Sequence, residues 1–196
     1  MEACGGARHI GRFCVEHGHE PRLMSPLYVR PYVKVHKNDD RDAEAIAEAA
    51  THPTMSFVAV KSEEQLDLQA VHRARERQLH NRTRLINQAR GFLTERGVRI
   101  GTSRQVFQRA LGELIGDPSK QLSSAMTAIL SDMAEELSAI NNRVAELDRE
   151  IAAHARRNAD MRRLMEISGI GPTIASALVA AVGDGGCFAR ARDLSA

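Results

Sequence analysis

Apolar and polar positions follow two different rhythms along this 196-residue chain. In the second half, Met126, Leu130, Met133, Leu137, Ile140, Val144, Leu147 and Ile151 succeed one another in alternating steps of four and three. That is a heptad seam, and it predicts a long helix in a coiled coil, with Glu135, Glu136, Arg143, Glu146, Asp148, Arg149 and Glu150 on its other faces. A second long helix is predicted from a capping box of Ser62 and Gln65 to about Arg96, with Gly97 marking its end. Its seam is poorer, since Gln78 and Arg82 interrupt Leu68, Val71, Leu85, Ala89 and Phe92. Together the two predict an antiparallel hairpin that also supports a homodimer or higher oligomer. Between them, Val106, Leu111, Leu114 and Ile115 mark a shorter amphipathic helix, broken by Gly116-Asp117-Pro118.

The first sixty residues are less regular. A helical pattern runs through Ile10, Phe13 and Val15 to a turn at Gly18, and Arg22-Leu23-Met24 suits a short buried strand. Pro26 and Pro31 limit the regularity of 26–35, and Phe57-Val58-Ala59-Val60 is expected as an extended connector. The chain opens abruptly on Met1-Glu2-Ala3, as though within an element, and is expected to be a piece of something longer.

Lys37-Asn38-Asp39-Asp40-Arg41-Asp42-Ala43-Glu44-Ala45-Ile46 starts a helix that should reach about residue 50. Asn38 or Asp39 can cap it, and the alanines favour it strongly. Asp39 and Asp42, three apart, point to one side. The plain reading is that Asp39 caps and Asp42 complements the helix dipole. The alternative is a site for a divalent cation, since Mg²⁺ accepts a few carboxylates while keeping several waters.

Near the end, Ile167-Ser168-Gly169-Ile170-Gly171-Pro172-Thr173-Ile174-Ala175 joins two helices, the first ending at Ser168 and the second beginning at Pro172. Gly169 and Gly171 bare the backbone before a helix N-terminus, where an anion fits. The hydrophobic-Gly-hydrophobic-Gly pattern is that of a helix-hairpin-helix, favouring contact with a DNA backbone through Gly169, Ile170, Gly171 and Thr173 over a plain tight turn. Another helix is expected after Phe188.

Composition adds bounds. The chain is 43% hydrophobic, 27% charged and only 4% aromatic, an ordinary balance that favours helices over a β-sandwich. A net charge of +2 carries no argument for nucleic acid, so local clustering must. Such clustering exists between His72 and Thr94, where Arg73, Arg75, Arg77, Arg82, Arg84 and Arg90 meet one acid, Glu76. Phosphate contact is favoured there over a merely solvated face. Three cysteines without a CxxC pair suit a reducing cytosol and argue against structural zinc or a disulfide framework. His17-Gly18-His19 lacks flanking thiolates and suits a surface turn. No apolar run approaches the roughly 18–20 residues of a membrane span, and Glu2, Arg8 and Arg12 interrupt any signal peptide. A cytoplasmic protein, nucleoid-associated when bound to DNA, is expected.

Several of these motifs occur together in one family. Met1-Glu2-Ala3-Cys4-Gly5-Gly6, Tyr32-Val33-Lys34, the Lys37–Ile46 stretch, Leu68-Gln69-Ala70-Val71-His72-Arg73-Ala74-Arg75 and Gly169-Ile170-Gly171-Pro172 with Ala177-Leu178-Val179-Ala180 resemble the bacterial DEDD transposases of the insertion sequence one-ten family, relatives of the Piv invertases. The resemblance covers essentially the whole chain, with the motifs in family order. It implies a mainly α protein with a small α/β part. A truncated RuvC-like (RNase H-like) piece would occupy 1–60, a long helical coiled coil 61–158, and a helix-hairpin-helix C-terminal piece 159–196. It further implies metal-dependent DNA recombination (transposition) with Mg²⁺, DNA as partner and, in some members, an element-encoded guide RNA. Glu2 matches the second acid of the family, Asp39 and Asp42 the third and fourth. Asp40 and Arg41 stand where the family usually has small residues. The first acid is expected before Met1 and a nucleophilic serine after Ala196, so the chain by itself is expected to be catalytically inert. The alternative is a non-catalytic, DNA-binding, dimerising transposase remnant. A purely structural coiled-coil protein is the third possibility.

Overall fold

The computed structural model describes residues 1–34, 38–101, 103–116, 122–183, 185–186 and 188. Lys37, the Asp117-Pro118 break and the helix expected after Phe188 lie outside the described residues. The chain forms two compact units, Met1–Leu66 with Val182–Ala196, and Asp67–Ala181.

In the first unit, the opening residues lie extended beside β1 (Leu23–Met24). The Ala3 N–H donates to the Met24 carbonyl at 2.7 Å and the Met24 N–H to the Met1 carbonyl at 3.0 Å, a parallel pairing centred on Glu2. Parallel neighbours require a crossover, and α1 (Ala7–Glu16) supplies it. On its other side β1 pairs antiparallel with β2 (Phe57–Val58), Leu23 opposite Val58 and Met24 opposite Phe57. The expected connector at 57–60 therefore begins as a strand. A two-residue apolar pair has no readable periodicity, so only its partner reveals it.

The Pro26–Pro31 stretch folds as α2 (Pro26–Val29), with proline at the first helical position, and a 3₁₀ turn at Arg30–Tyr32. After it comes α3 (Asp39–Thr51). Met24, Val29, Ala45 and Ala49 form the buried core, flanked by Tyr32, Ile46, Met55 and Phe57. Helix α1 forms as predicted but turns its small residues inward. Ala7 and Gly11 are buried, whereas Ile10, Phe13 and Val15 are each more than half exposed. A Cβ on Gly11 would sit 3.2 Å from a Val60 methyl, too close for a larger inward residue to fit unaltered.

The second unit contains most of α4 (Glu63–Thr94), then α5 (Arg104–Gly116), α6 (Ser124–Arg157), α7 (Ala159–Met165) and nearly all of α8 (Pro172–Val182). The capping box of α4 is reciprocal: the Ser62 N–H donates to Gln65 Oε1 at 3.0 Å, and the Gln65 N–H to Ser62 Oγ at 3.2 Å. Its end is a Schellman turn. The Val98 N–H reaches the Leu93 carbonyl at 3.0 Å and the Gly97 N–H the Thr94 carbonyl at 2.9 Å, with Gly97 at φ +73°.

Every residue of the α6 heptad seam is buried. Arg75 meets Asp148 and Arg82 meets Asn141, so α4 and α6 run antiparallel. The hairpin is more than two helices, however, because α5 joins it. Leu85, Ile86, Ala89 and Leu93 of α4 pack with Phe107, Leu111 and Leu114 of α5 and the Met126-to-Val144 part of the seam. Two inward positions differ from the sequence reading. Phe107 is buried while Val106 is exposed, and Leu93 is fully buried while Phe92 is only partly so. Phe107, Leu111 and Leu114 fall at i, i+4 and i+7, the spacing of one helix face.

At the other end of α4 a second core gathers Leu68, Ala155, Met161, Ala175 and Ala180. Asn158 separates α6 from α7 and caps the latter, accepting from the Met161 N–H at 3.0 Å. Residues 159–181 thus belong to the same unit as the long helices. Helix α7 stops at Met165, short of the expected Ser168.

Candidate acidic cleft and nucleic-acid interface

The acids of the first unit are positioned by short elements. Glu2 stands on the extended opening residues, held by the bonds to β1. Asp42 is in the first turn of α3, whose start is fixed by Asn38: its Oδ1 accepts the Arg41 N–H at 2.9 Å. Asn38, not Asp39, is therefore the cap, and Asp39, Asp40 and Asp42 complement the helix dipole.

Glu2 and Asp42 line one cleft of about 450 Å³ with Pro26, Val29, Arg30 and Val33. Forty positions of sequence separate these carboxylates, and residues of α2 and of the turn after it line the cleft with them. Asp39 is exposed and is not among the lining residues. Positions three apart on a helix differ by about 60° in direction and 4.5 Å in height, enough to put one acid in a cleft and the other outside it.

Among the described residues no three His, Cys, Asp or Glu side chains gather as a group able to hold a metal ion. Two hard oxygen donors on a water-accessible cleft still match the donor chemistry of Mg²⁺, which takes one or two carboxylates and retains waters. Arg30, which no local motif singles out, adds a guanidinium to the same wall. Nearby, Lys34 and Glu44 pair at 2.6 Å, which raises the lysine pKa and lowers the carboxyl's.

The arginines of α4 divide into two sets. Arg75 and Arg82 turn toward α6, to Asp148 at 2.5 Å and Asn141 at 3.3 Å. Arg90 donates to the Gly101 carbonyl at 2.9 Å and lies over the Phe107 ring. Arg73, Arg77 and Arg84 are exposed. Of the arginines expected to meet nucleic acid, Arg73, Arg77 and Arg84 are thus open to solvent, while Arg75 and Arg82 serve the helix pair.

Between α7 and α8, Gly169 adopts φ +90° and the Ile170 N–H closes onto the Ile167 carbonyl at 3.0 Å. Gly169 is exposed, whereas Ile170 packs on the adjoining core. A Cβ on Gly171 would meet nothing within 4 Å. The start of α8 is tied to α4 through a buried serine. Ser176 Oγ donates to the Pro172 carbonyl at 2.6 Å, leaving its lone pairs to accept from His72 Nε2–H at 3.0 Å. Burial first, and then Arg75, push the His72 pKa down. Gln69 adds a bond to the Ala180 carbonyl at 3.0 Å.

Among the described residues no helix is long and apolar enough to cross a membrane. No solved structure matches the chain. A DEDD transposase model of IS110 type covers residues 1–97, and a model described as the transposase IS116/IS110/IS902 family covers 161–196. A probable family 20 transposase of Pseudomonas aeruginosa is 42% identical over 198 residues, matching all of this chain and 58% of its own length. The transposase for insertion sequence element IS1111A of Coxiella burnetii is 39% identical over 196 residues, with 54% of its length covered. That for IS1328 of Yersinia enterocolitica is 34% identical over 197 residues, with 58% covered. The chain therefore spans little more than half the length of these relatives, and it belongs to the IS110 family of transposases.

Proposed function

We propose that this chain is the DNA-handling portion of an insertion-sequence transposase, in which Glu2 and Asp42 hold Mg²⁺ and Asp39 approaches to complete the acidic set. The observation that carries the reading is the shared cleft of Glu2 and Asp42, within the stretch that the DEDD transposase model covers. A parallel pairing crossed over by α1, with an antiparallel β2 beyond, supports a truncated RuvC-like piece. The buried seam supports a coiled coil, and the Gly169–Thr173 turn supports a helix-hairpin-helix. Because the seam is already buried within one chain, an intramolecular hairpin is favoured over a dimer as its use.

Mg²⁺ in this cleft would neutralise charge on a scissile phosphodiester. The chain's own part is to orient. Asn38 fixes the turn that presents Asp42, the β1 bonds hold Glu2, and Arg30 can pair with a phosphate oxygen. The backbone at Gly169, Ile170, Gly171 and Thr173 and the outward Arg73 contact phosphates of DNA, or of an element-encoded guide RNA. With two carboxylates among the described residues of the cleft, the 196 residues alone bind DNA without cutting it. The non-catalytic remnant is the second reading, favoured by the lack of a three-acid group among the described residues.

The test is anisotropy of a labelled DNA duplex with the purified chain across a salt series, with Mg²⁺ present. Binding that falls steeply with salt, without strand cleavage or transfer, is expected. Failure to bind at low salt removes the DNA-handling role, and clear turnover removes the inertness. Competition by an RNA duplex tests the guide-RNA reading.

A further inference from the structure

Ser176 of α8 is a fully buried polar side chain in the helical unit. Every other residue of α8 beyond Thr173 is apolar, and Ala175 and Ala180 belong to the core beside it. A buried hydroxyl is costly unless it is bonded, and the bonds of this one have a direction. Its proton goes to the Pro172 carbonyl at 2.6 Å, in the first turn of α8, and its oxygen accepts the Nε2–H of His72 on α4 at 3.0 Å. Gln69, three residues before His72, donates to the Ala180 carbonyl, four residues after Ser176. The two bonds therefore meet α4 and α8 in opposite order. Passing from Ser176 back to the Gly169–Thr173 turn follows α4 from His72 towards the exposed Arg73 and Arg77. Replacing both partners of such a bond with apolar side chains is nearly neutral for stability, so adhesion alone does not call for the pair.

We infer that His72 is a positioning residue for DNA binding: through Ser176 it holds the Gly169–Thr173 turn in register with Arg73 and Arg77, so that turn and guanidiniums engage one backbone together. Arg73 follows His72 directly on α4. On the other side, Ser176 Oγ lies 3.3 Å from the carbonyl of Thr173, the last residue of the turn. The bonded pair thus stands directly behind both sets of contacts. Two phosphate contacts on one rigid frame reinforce each other, because the second forms without a further loss of freedom. On helices free to move separately, each contact would have to be ordered on its own. The inference rests on the DNA-binding reading, which supplies the two sets of contacts, and it requires neither the acidic cleft nor a cation.

The experiment titrates the full chain with a labelled DNA duplex over a salt series and records the thermal midpoint of every variant. Ser176→Ala and His72→Leu remove the bond, whereas His72→Gln keeps a side-chain N–H to offer the hydroxyl. Ile140→Val is the control, a mild loss of packing in the other core. The expected result is several-fold weaker binding by Ser176→Ala and His72→Leu, with a log–log salt slope lower by about one. His72→Gln and Ile140→Val should bind like the parent. Losses from Arg73→Ala and Gly171→Val should be non-additive in the parent and become additive once Ser176→Ala is present. Parent-like binding by Ser176→Ala and His72→Leu, with Arg73→Ala and Gly171→Val still impaired, would overturn the positioning role and leave the DNA reading standing. Equal weakening by Ile140→Val would overturn it too, since lowered stability would then account for the loss. If neither Arg73→Ala nor Gly171→Val weakens binding, the DNA contacts themselves fail and the inference falls with them.

Discussion

The two units solve the problem of burial in opposite ways. In Asp67–Ala181 one long helix places a continuous apolar seam under cover, with further cores supplied by α5 and by α7–α8. In the first unit a small core of Met24, Val29, Ala45 and Ala49 supports several short elements, and Ile10, Phe13, Val15, Leu27 and Tyr28 remain largely exposed. The difference teaches where stability and chemistry reside. The helical unit is held by side chains repeated at fixed spacing. The acidic cleft is held by backbone pairing and a helix cap, features that place Glu2 and Asp42 without a large core beneath them.

The largest effect should come from the seam. Leu137→Ala, at a residue only 1% exposed, should cost about 2–5 kcal/mol in denaturant unfolding. By contrast Phe13→Ser on α1, at a residue 54% exposed, should stay within about 0.5 kcal/mol. Similar losses from the two would erase the contrast. Next, Ser176→Ala should cost about 0.5–1.5 kcal/mol, because it removes the bond between the buried Ser176 hydroxyl and the partly buried His72 ring.

A smaller effect is a pH dependence confined to the helical unit. His72 has a lowered pKa when folded, so between that value and its ordinary 6.5 the unfolded chain binds more protons. Stability is thus fully present above about pH 6.5 and declines as the pH falls below it. In His72→Gln this part of the pH dependence should vanish, as thermal midpoints between pH 5 and 8 would reveal. The mildest change for folding is Gly171→Ala, which meets nothing within 4 Å. It should leave the midpoint unchanged and, on the proposed DNA contact, weaken DNA binding, since the added methyl would enter the space proposed for a phosphate. Unaltered affinity would mark Gly169–Thr173 as a plain turn.

Much of the helical unit was legible because its signals are periodic. The seam from Met126 to Ile151, the Ser62 and Gln65 capping box and the stop at Gly97 all stand where the pattern put them. The choice of Phe107 over Val106 was not, because adjacent apolar residues differ only in which one meets a partner helix. Arginine roles were hidden for the same reason. A sequence displays a cluster of charge but not that Arg75 and Arg82 face Asp148 and Asn141 across α6. In the first unit the Asn38 cap and the α3 start were readable. The β1–β2 pairing and the presence of Arg30 beside Glu2 and Asp42 depend on contacts between distant short elements, which carry no local signal.

Manganese binding followed by electron paramagnetic resonance tests directly the proposal that Glu2 and Asp42 act together on one cation, with Mn²⁺ standing in for Mg²⁺. The parent chain should bind Mn²⁺, and Glu2→Gln and Asp42→Asn should each weaken it at least about tenfold, since losing a ligand should cost no less than losing its support. Asp39→Asn should weaken it less. Binding that is the same in all four proteins would contradict the shared acidic site.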